Sequence, residues 1–200
     1  MMQRMEPLEE ITAERERARQ LADPNVDVCY LATVTGEGQP EVRAIALREI
    51  SASGFELLLN STSPKWQQLS MNGHVSLLIH WPTVQRQYRI RGSVVLMASA
   101  RVAHYWSQKR YGSQLLEQYY DIYHPQSEPL PSRASLLQEM EALQRRFPEQ
   151  HGVPIPPSLI GVYLVPREIE TWHGSPVDRL HDRCLYRQSD RGWVVQPLVP

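Results

Sequence analysis

Short apolar segments closed by turn residues fill residues 28–98, and their spacing constrains the fold more than any other feature of the chain. "VCYLATVT", "EVRAIALREI", "FELLLN", "HVSLLIHW" and "RQYRIRGSVVLMA" follow one another, each rich in β-branched, aliphatic or aromatic residues and each the length of a strand. "GEGQP" between the first two is a Gly-containing link typical of a hairpin, and "SASG" introduces the third. "SPKWQQLSMNG" reads as a short helix, with Pro64 in its first turn and Gly73 at its end. Strands joined by such local connections predict an antiparallel barrel.

From Arg101 to Phe147 the pattern becomes helical: "ARVAHYWSQKRYGSQLLEQYYDIY", a Pro-rich break "HPQSEPLPS", then "RASLLQEMEALQRRF". Leu136, Leu137, Met140, Leu143 and Phe147 recur at helical spacing and predict a packing face. Residues ~8–22, within "LEEITAERERARQLAD", read as an exposed amphipathic helix ended by Asp23-Pro24. Strands return in "GVPIPPSLIGVYLV", "IETWHG", "HDRCLYRQ" and "GWVVQPLV". Strands, then helices, then strands predict an α+β domain whose last strands rejoin the first sheet. The 200 residues suit one domain, with a helical arm over 1–22, a helical insertion over 101–148 and C-terminal strands over 158–200.

A formal net charge of −1 gives no long-range field that would draw in nucleic acid or an anionic membrane, so anion recognition has to be local. The longest apolar runs are too short to cross a bilayer, and Met1 leads into acidic, helix-forming sequence, so a cytoplasmic protein is expected. Cys29 and Cys184 have no metal-ligand spacing and read as reduced, buried thiols. No HExxH or GxSxG pattern occurs, so neither a metal centre nor a serine nucleophile is expected. The Gly-x-Gly of "TGEGQP" lacks the third glycine and the following helix of a phosphate loop and reads as a turn. Of the 21 basic residues only Lys65 and Lys109 are lysines, and arginine supplies the planar fork that grips phosphate or carboxylate.

"DRLHDR", residues 178–183, concentrates that chemistry. As a strand it would put Arg179, His181 and Arg183 on one face, a face that requires an anion. Arg43 and Arg48 are an odd number of residues apart, so a regular strand points them to opposite faces unless a bulge intervenes. Gln87, Arg89 and Arg91 share a face, where a glutamine amide could bond the edge of a heterocycle. Trp172 could pack against a planar ring.

With these segments taken in order, residues 20–200 resemble the pyridoxine (pyridoxamine) 5′-phosphate oxidase family, which includes the phenazine-biosynthesis oxidases. The resemblance is carried by "LADPNVDVCYLATVTGEGQPEVRAIAL", "NGHVSLLIHWPTVQRQYRIRG", "VPIPPSLIGVYLV", "GWVVQPLVP" and above all "IETWHGSPVDRLHDRCLY". It implies an antiparallel split β-barrel with peripheral helices, FMN as cofactor and a homodimer with FMN at the subunit interface. By the same resemblance Arg43, Ala44, Ile45, Ala46 and Leu47 would lie along FMN with Leu58 and Leu59, Lys65 near its phosphate and Gln87 at its ring system; Gln126, Ser127, Trp172 and Arg183 would complete that site. Arg179 and His181 would hold a phosphorylated pyridine substrate as the catalytic pair, with Arg48, Tyr105, Lys109 and Ser113 also binding it. The chain departs from the family pattern at Arg48, usually lysine, at Pro64, usually arginine, and at Lys109, where the phosphate cluster usually has arginine.

The activity so implied is oxidation of pyridoxine or pyridoxamine 5′-phosphate to pyridoxal 5′-phosphate, with O₂ as acceptor. Two alternatives share the pattern: a flavin oxidase of the same fold acting on another planar substrate such as a dihydrophenazine, and a non-catalytic FMN- or pyridoxal-phosphate-binding protein.

Overall fold

The computed structural model describes residues 6–149 and 152–200, arranged as nine strands and five helices. Two compact units form: one from residues up to Leu57 with Asn72–Val95 and Tyr163–Pro200, the other from Leu58–Met71 and Leu96–Val162. Of the arm expected over residues 1–22, residues 1–5 lie outside the described residues, and Pro7–Gln20 form helix α1.

The strands are β1 (Val28–Val34), β2 (Pro40–Ala46), β3 (Ile50–Ser51), β4 (Gly54–Asn60), β5 (Val75–Trp81), β6 (Arg86–Leu96), β7 (Leu159–His173), β8 (Asp182–Ser189) and β9 (Gly192–Leu198). They pair in the order β2-β1-β5-β6-β7-β4-β3, with β8 on β7 and β9 on β8. The pairs β1–β2, β1–β5, β3–β4, β5–β6, β7–β8 and β8–β9 are antiparallel. Period-two burial explains why these segments are strands. Val75, Leu77, Ile79 and Trp81 of β5 and Tyr88 and Ile90 of β6 are buried, while His80, Gln87, Arg89 and Arg91 face outward or stay half-exposed. Each fully buried leucine or isoleucine contributes roughly 1.5–3 kcal/mol, enough to fix the register against a one-residue slip. The expected turn at "GEGQP" forms: the Thr35 amide donates to Gln39 O at 2.9 Å, and Gly38 takes φ 82°.

Two glycines let β7 lie close to its neighbours. A Cβ at Gly92 would lie 2.0 Å from Val165 O, and one at Gly54 would lie 2.2 Å from Leu164 O.

The structure alters three strand expectations in this unit. "EVRAIALREI" is not one strand: β2 ends at Ala46, because Leu47 turns into the core and its amide donates to Asp27 O at 3.0 Å. Arg15 of α1 caps the freed carbonyls, donating to Leu47 O at 2.8 Å and Arg48 O at 3.2 Å. "GVPIPPSLIGVYLV" and "IETWHG" merge into the single strand β7, since no residue between them takes a positive φ to turn the chain. "DRLHDR" is strand only from Asp182, and Arg179 has φ 61°.

In the other unit lie most of α2 (Pro64–Asn72) and all of α3 (Ser99–Gln108), α4 (Tyr111–Ile122) and α5 (Arg133–Arg146). The helical run beginning at Ala100 is broken at Lys109, whose ψ of 134° leaves the helical region. The break is satisfied locally: Trp106 O accepts from the Lys109 amide at 3.0 Å and from Gln114 Nε2 at 2.9 Å. The packing face expected on α5 is narrower than its sequence suggests. Leu143 is buried, whereas Leu137 is 50 % exposed. Both cysteines are buried, and burial pushes the Cys29 thiol up to about 12.

Candidate functional site

Strands β6, β7 and β8 bring alternate residues onto one outer face. The register pairs Trp172 with Arg183, Glu170 with Leu185 and Glu168 with Arg187. Glu170 bridges two strands, accepting from Arg183 Nη2 at 2.8 Å and Arg89 Nη1 at 3.1 Å. Glu168 does the same, accepting from Arg187 Nε at 2.9 Å and Arg91 Nη1 at 3.3 Å. The Arg187 guanidinium, followed by that of Arg91, holds the Glu168 carboxyl below the ordinary carboxylate range. At this exposure each pair is worth about 1 kcal/mol or less. Their larger effect is to orient the arginines. Arg183 is further fixed by donating to Val199 O at 2.9 Å. The anion that the sequence required for Arg183 is therefore supplied within the chain by Glu170. Sequence reasoning missed both glutamates, although the alternation Glu168, Glu170, Trp172 in "EIETW" already puts them on one face.

Arg179 and His181 do not share a strand face with Arg183, which corrects the alternation argument. They belong to the loop after β7. Asp178 ties that loop: its Oδ1 accepts from Ser175 Oγ at 2.5 Å and from the Leu180 amide at 3.0 Å, bonds that hold its carboxyl below the ordinary range. The Ser175 amide donates to His181 Nδ1 at 3.1 Å, so the neutral ring carries its proton on Nε2. The His181 ring lies 4.7 Å from that of Trp172, tilted by 45°. Gly174 allows the indole its place, since a Cβ there would come within 2.7 Å of Trp172 Cη2. Trp172, Gly174, Ser175, Arg179 and His181 line a cavity of about 440 Å³ together with His80 and Gln85. His173 Nε2 lies 2.9 Å from Glu10 Oε1 of α1, beside Trp172.

A second cavity of about 490 Å³ lies elsewhere on this unit, lined by Thr33, His74, Ser76, Arg91 and Arg167 among others. It contains none of the expected catalytic residues. The first is the better candidate because an aromatic face, an imidazole and a guanidinium converge there.

The remaining expected residues divide between the units. In the first, Arg43 turns onto its own hairpin, donating to Thr33 Oγ1 at 2.5 Å, Leu31 O at 3.3 Å and Glu41 Oε2 at 2.8 Å. Ala44 and Ala46 are exposed on β2, Ile45 is half-buried and Leu47 is buried. Arg48 lies in the break after β2, with its Nε buried and without a hydrogen-bond partner. Gln87 pairs with His80 across β5 and β6. In the second unit, Lys65 Nζ donates to Gln126 Oε1 at 2.6 Å, and the Gln126 amide donates to Thr62 Oγ1 at 3.2 Å. Ser127 takes φ 76°, Leu58 is half-buried and Leu59 is buried. Tyr105 is buried, with Arg101 Nη2 donating to its hydroxyl at 2.9 Å. Ser113 lies in the first turn of α4, its amide donating to Arg110 O at 2.9 Å. Lys109 Nζ meets Glu117 Oε1 at 2.5 Å, a partner that sequence reasoning missed.

Comparison with known proteins agrees with this architecture. Residues 14–147 match the family described as pyridoxamine 5′-phosphate oxidase, and residues 160–200 match the pyridoxine 5′-phosphate oxidase C-terminal dimerisation region. The chain is 34 % identical over 181 residues to a pyridoxine/pyridoxamine 5′-phosphate oxidase of Saccharopolyspora erythraea, covering 89 % of this chain and 79 % of the relative. It is 37 % identical over 184 residues to one of Paraburkholderia phymatum, covering 90 % and 82 %. Among solved structures it is similar to PhzG from Burkholderia lata 383 in complex with tetrahydrophenazine-1-carboxylic acid, with a TM-score of 0.87, 26 % identity, and coverage of 100 % of this chain and 95 % of that one. A pyridoxamine 5′-phosphate oxidase-related, FMN-binding protein from Nostoc punctiforme shares the fold, with a TM-score of 0.73, 19 % identity and 98 % coverage of each chain.

Proposed function

Because the chain belongs to the pyridoxamine 5′-phosphate oxidase family, we propose that it is an oxidase that seats a planar nitrogen heterocycle against Trp172, with Arg179 and His181 contacting the ring substituents. The observation that carries this reading is the convergence of Trp172, His181 and Arg179 on one cavity. The fold is the α+β antiparallel split barrel expected from the resemblance, and FMN is its cofactor.

The residues present suit that cofactor. Lys65 and Gln126 meet and would offer a cation and an amide to its phosphate. Arg183, held by Glu170, and Gln87 would meet its polar edges, while Arg43 and the exposed Ala44 and Ala46 would lie along it. When bound, FMN would supply the redox chemistry, as acceptor of a hydride equivalent from the substrate and donor of electrons to O₂, which leaves as H₂O₂. The protein's part is placement. Arg179 would orient the substrate through a fixed fork, and His181, with its proton on Nε2, would donate to a ring substituent. Arg48, with a buried donor lacking a partner, would bind the same ligand, and Tyr105, Lys109 and Ser113 would receive its far substituent.

A homodimer is part of this proposal. Residues 160–200 match a dimerisation region, and Val194 of β9 is 59 % exposed, so a second copy would cover that apolar face and complete each FMN site. No helix among the described residues is long and apolar enough to cross a membrane, and a cytoplasmic location with a role in pyridoxine metabolism is the corresponding proposal.

The first reading of the substrate is pyridoxine or pyridoxamine 5′-phosphate, after the curated relatives. The second is a reduced phenazine, favoured by the Lys109–Glu117 pair at the far-substituent position. Purified protein is expected to be yellow, with absorbance near about 450 nm from oxidised flavin. It is also expected to consume O₂ and release H₂O₂ with one of the two substrates. Yellow protein that turns over neither would leave a non-catalytic FMN-binding protein instead.

A further inference from the structure

His80 lines the Trp172 cavity, and the family resemblance gives it no role. It lies on the outer face of β5, where the register sets it opposite Gln87 of β6, the residue expected at the flavin ring. Its ring is half-buried, and no hydrogen bond among the described residues engages it. The other two ionisable side chains of the wall, Arg179 and His181, are not placed to take up a proton. A guanidinium has donors only. In His181 the Nδ1 lone pair is occupied by the Ser175 amide at 3.1 Å, and Nε2 carries the ring proton. That leaves His80 as the wall group with an imidazole nitrogen free to accept.

An anion built into the core lies near His80. Asp23 is buried: its Oδ1 accepts from the Asn25 amide at 2.8 Å, and its Oδ2 from the Thr83 amide at 2.9 Å and the Thr83 hydroxyl at 2.5 Å. Burial acts to raise the Asp23 carboxyl, yet the bonds from Thr83 and Asn25, with the nearby His80 ring adding to them, hold it below the ordinary carboxylate range. The same bonds tie the turn Pro82–Val84 to the segment after α1, and Trp81 Nε1 donates to Asn25 O at 3.2 Å, so the end of β5 that carries His80 is fixed. A positive charge arising on His80 would meet a carboxylate already ionised and held in place.

We propose that His80 is a further catalytic residue of this oxidase, accepting a hydrogen bond from an N–H or O–H group of the substrate and taking its proton as the substrate is oxidised. The role rests on the oxidase reading of the site. A C–H and an X–H bond of the substrate, X being nitrogen or oxygen, are lost together and a C=X bond forms. The C–H bond breaks with its electron pair leaving as hydride for the flavin, the X–H electron pair becomes the second bond between C and X, and the proton goes to the free nitrogen of His80. In sum both electrons and both hydrogens end in H₂O₂, and His80 returns to its neutral form. Arg179 and His181 then hold the ring substituents as donors while His80 accepts, which confines the substrate to ring compounds with an oxidisable C–N or C–O unit bearing a donor.

Anaerobic mixing of FMN-loaded protein with pyridoxamine 5′-phosphate, and separately with a reduced phenazine, reads the substrate-oxidising half of the reaction as loss of flavin absorbance. His80→Gln keeps an acceptor oxygen but cannot hold a proton at neutral pH. With the substrate that bleaches the unsubstituted protein, this variant is expected to bleach about a hundredfold more slowly. Its affinity for the oxidised product, pyridoxal 5′-phosphate or the phenazine, read by the shift in flavin absorbance, is expected to change less than about threefold. His80→Ala is expected to lose as much and to regain at least about tenfold when imidazole is added, a recovery that a structural role would not give. Should His80→Gln not hold flavin, His80→Ala with imidazole decides. A loss of less than about tenfold, a loss matched by weaker product binding, or a His80→Ala rate that imidazole leaves unchanged overturns the role. If neither substrate bleaches the unsubstituted protein, the oxidase reading fails and the role falls with it, whereas bleaching that the variants preserve overturns the role alone.

Discussion

Arg179 and Arg183 lie four residues apart and are held by different means, which separates their expected phenotypes. Arg183 is anchored on a strand by Glu170 and Val199, whereas Arg179 stands in a loop with positive φ on the wall of the Trp172 cavity. Arg183→Ala is expected to purify with less flavin, measured as the ratio of visible to ultraviolet absorbance. Arg179→Lys should stay yellow and lose about tenfold to a hundredfold in kcat/KM on the best substrate, because lysine keeps the charge but loses the fork. Unchanged kinetics would remove Arg179 from the substrate site. The roles of such residues are legible in "DRLHDR", but their partners are not. Glu170 could be found from its alternation with Trp172, while Glu117 lies eight residues from Lys109 across a helix break that its helical pattern does not announce.

At the level of elements, the close approach of β7 to β6 makes Gly92 a sharp test. Gly92→Ala puts a methyl group where Val165 O lies, which should cost about 3 kcal/mol and lower the melting temperature by roughly 6–12 °C. Gly112→Ala, with no atom within 4 Å of the added carbon, should be neutral or slightly stabilising. Helix α1 offers a pH test. The hydrogen bond from Arg19, then that from Arg15, holds the Asp27 carboxyl below its ordinary value against the opposing effect of burial. Its stabilisation is therefore complete above the unfolded value of about 3.9 and is lost as pH falls through the lower folded one. Because Asp27 is 56 % exposed, the contribution is small, under about 1 kcal/mol. Protection of the α1 amides against exchange, taken relative to the intrinsic rate, should fall below about pH 4, and Asp27→Asn should show that lower protection already at neutral pH. The sequence predicted α1 and β1 well because their burial patterns are periodic. It missed the end of β2 because Leu47, apolar like its neighbours, leaves the ladder for the core.

For the whole molecule, the apolar surface of β9 carries the dimer proposal. Val194→Glu is expected to shift the protein from dimer to monomer in light scattering and to release FMN along with the partner. A yellow, fully dimeric variant would place the interface elsewhere. By itself the sequence determined the strand–helix–strand order and the family, because alternation, helical periodicity and turn residues are local and each is written within a few adjacent positions. The tertiary structure decided what those patterns leave open. It separated Arg179 and His181 from the strand of Arg183, gave Arg183 and Arg89 a shared carboxylate, and set Glu117 against Lys109. The physical reason is that an ion pair between distant residues depends on register and helix breaks, and these follow from the burial of the whole core, not from the neighbours of either partner.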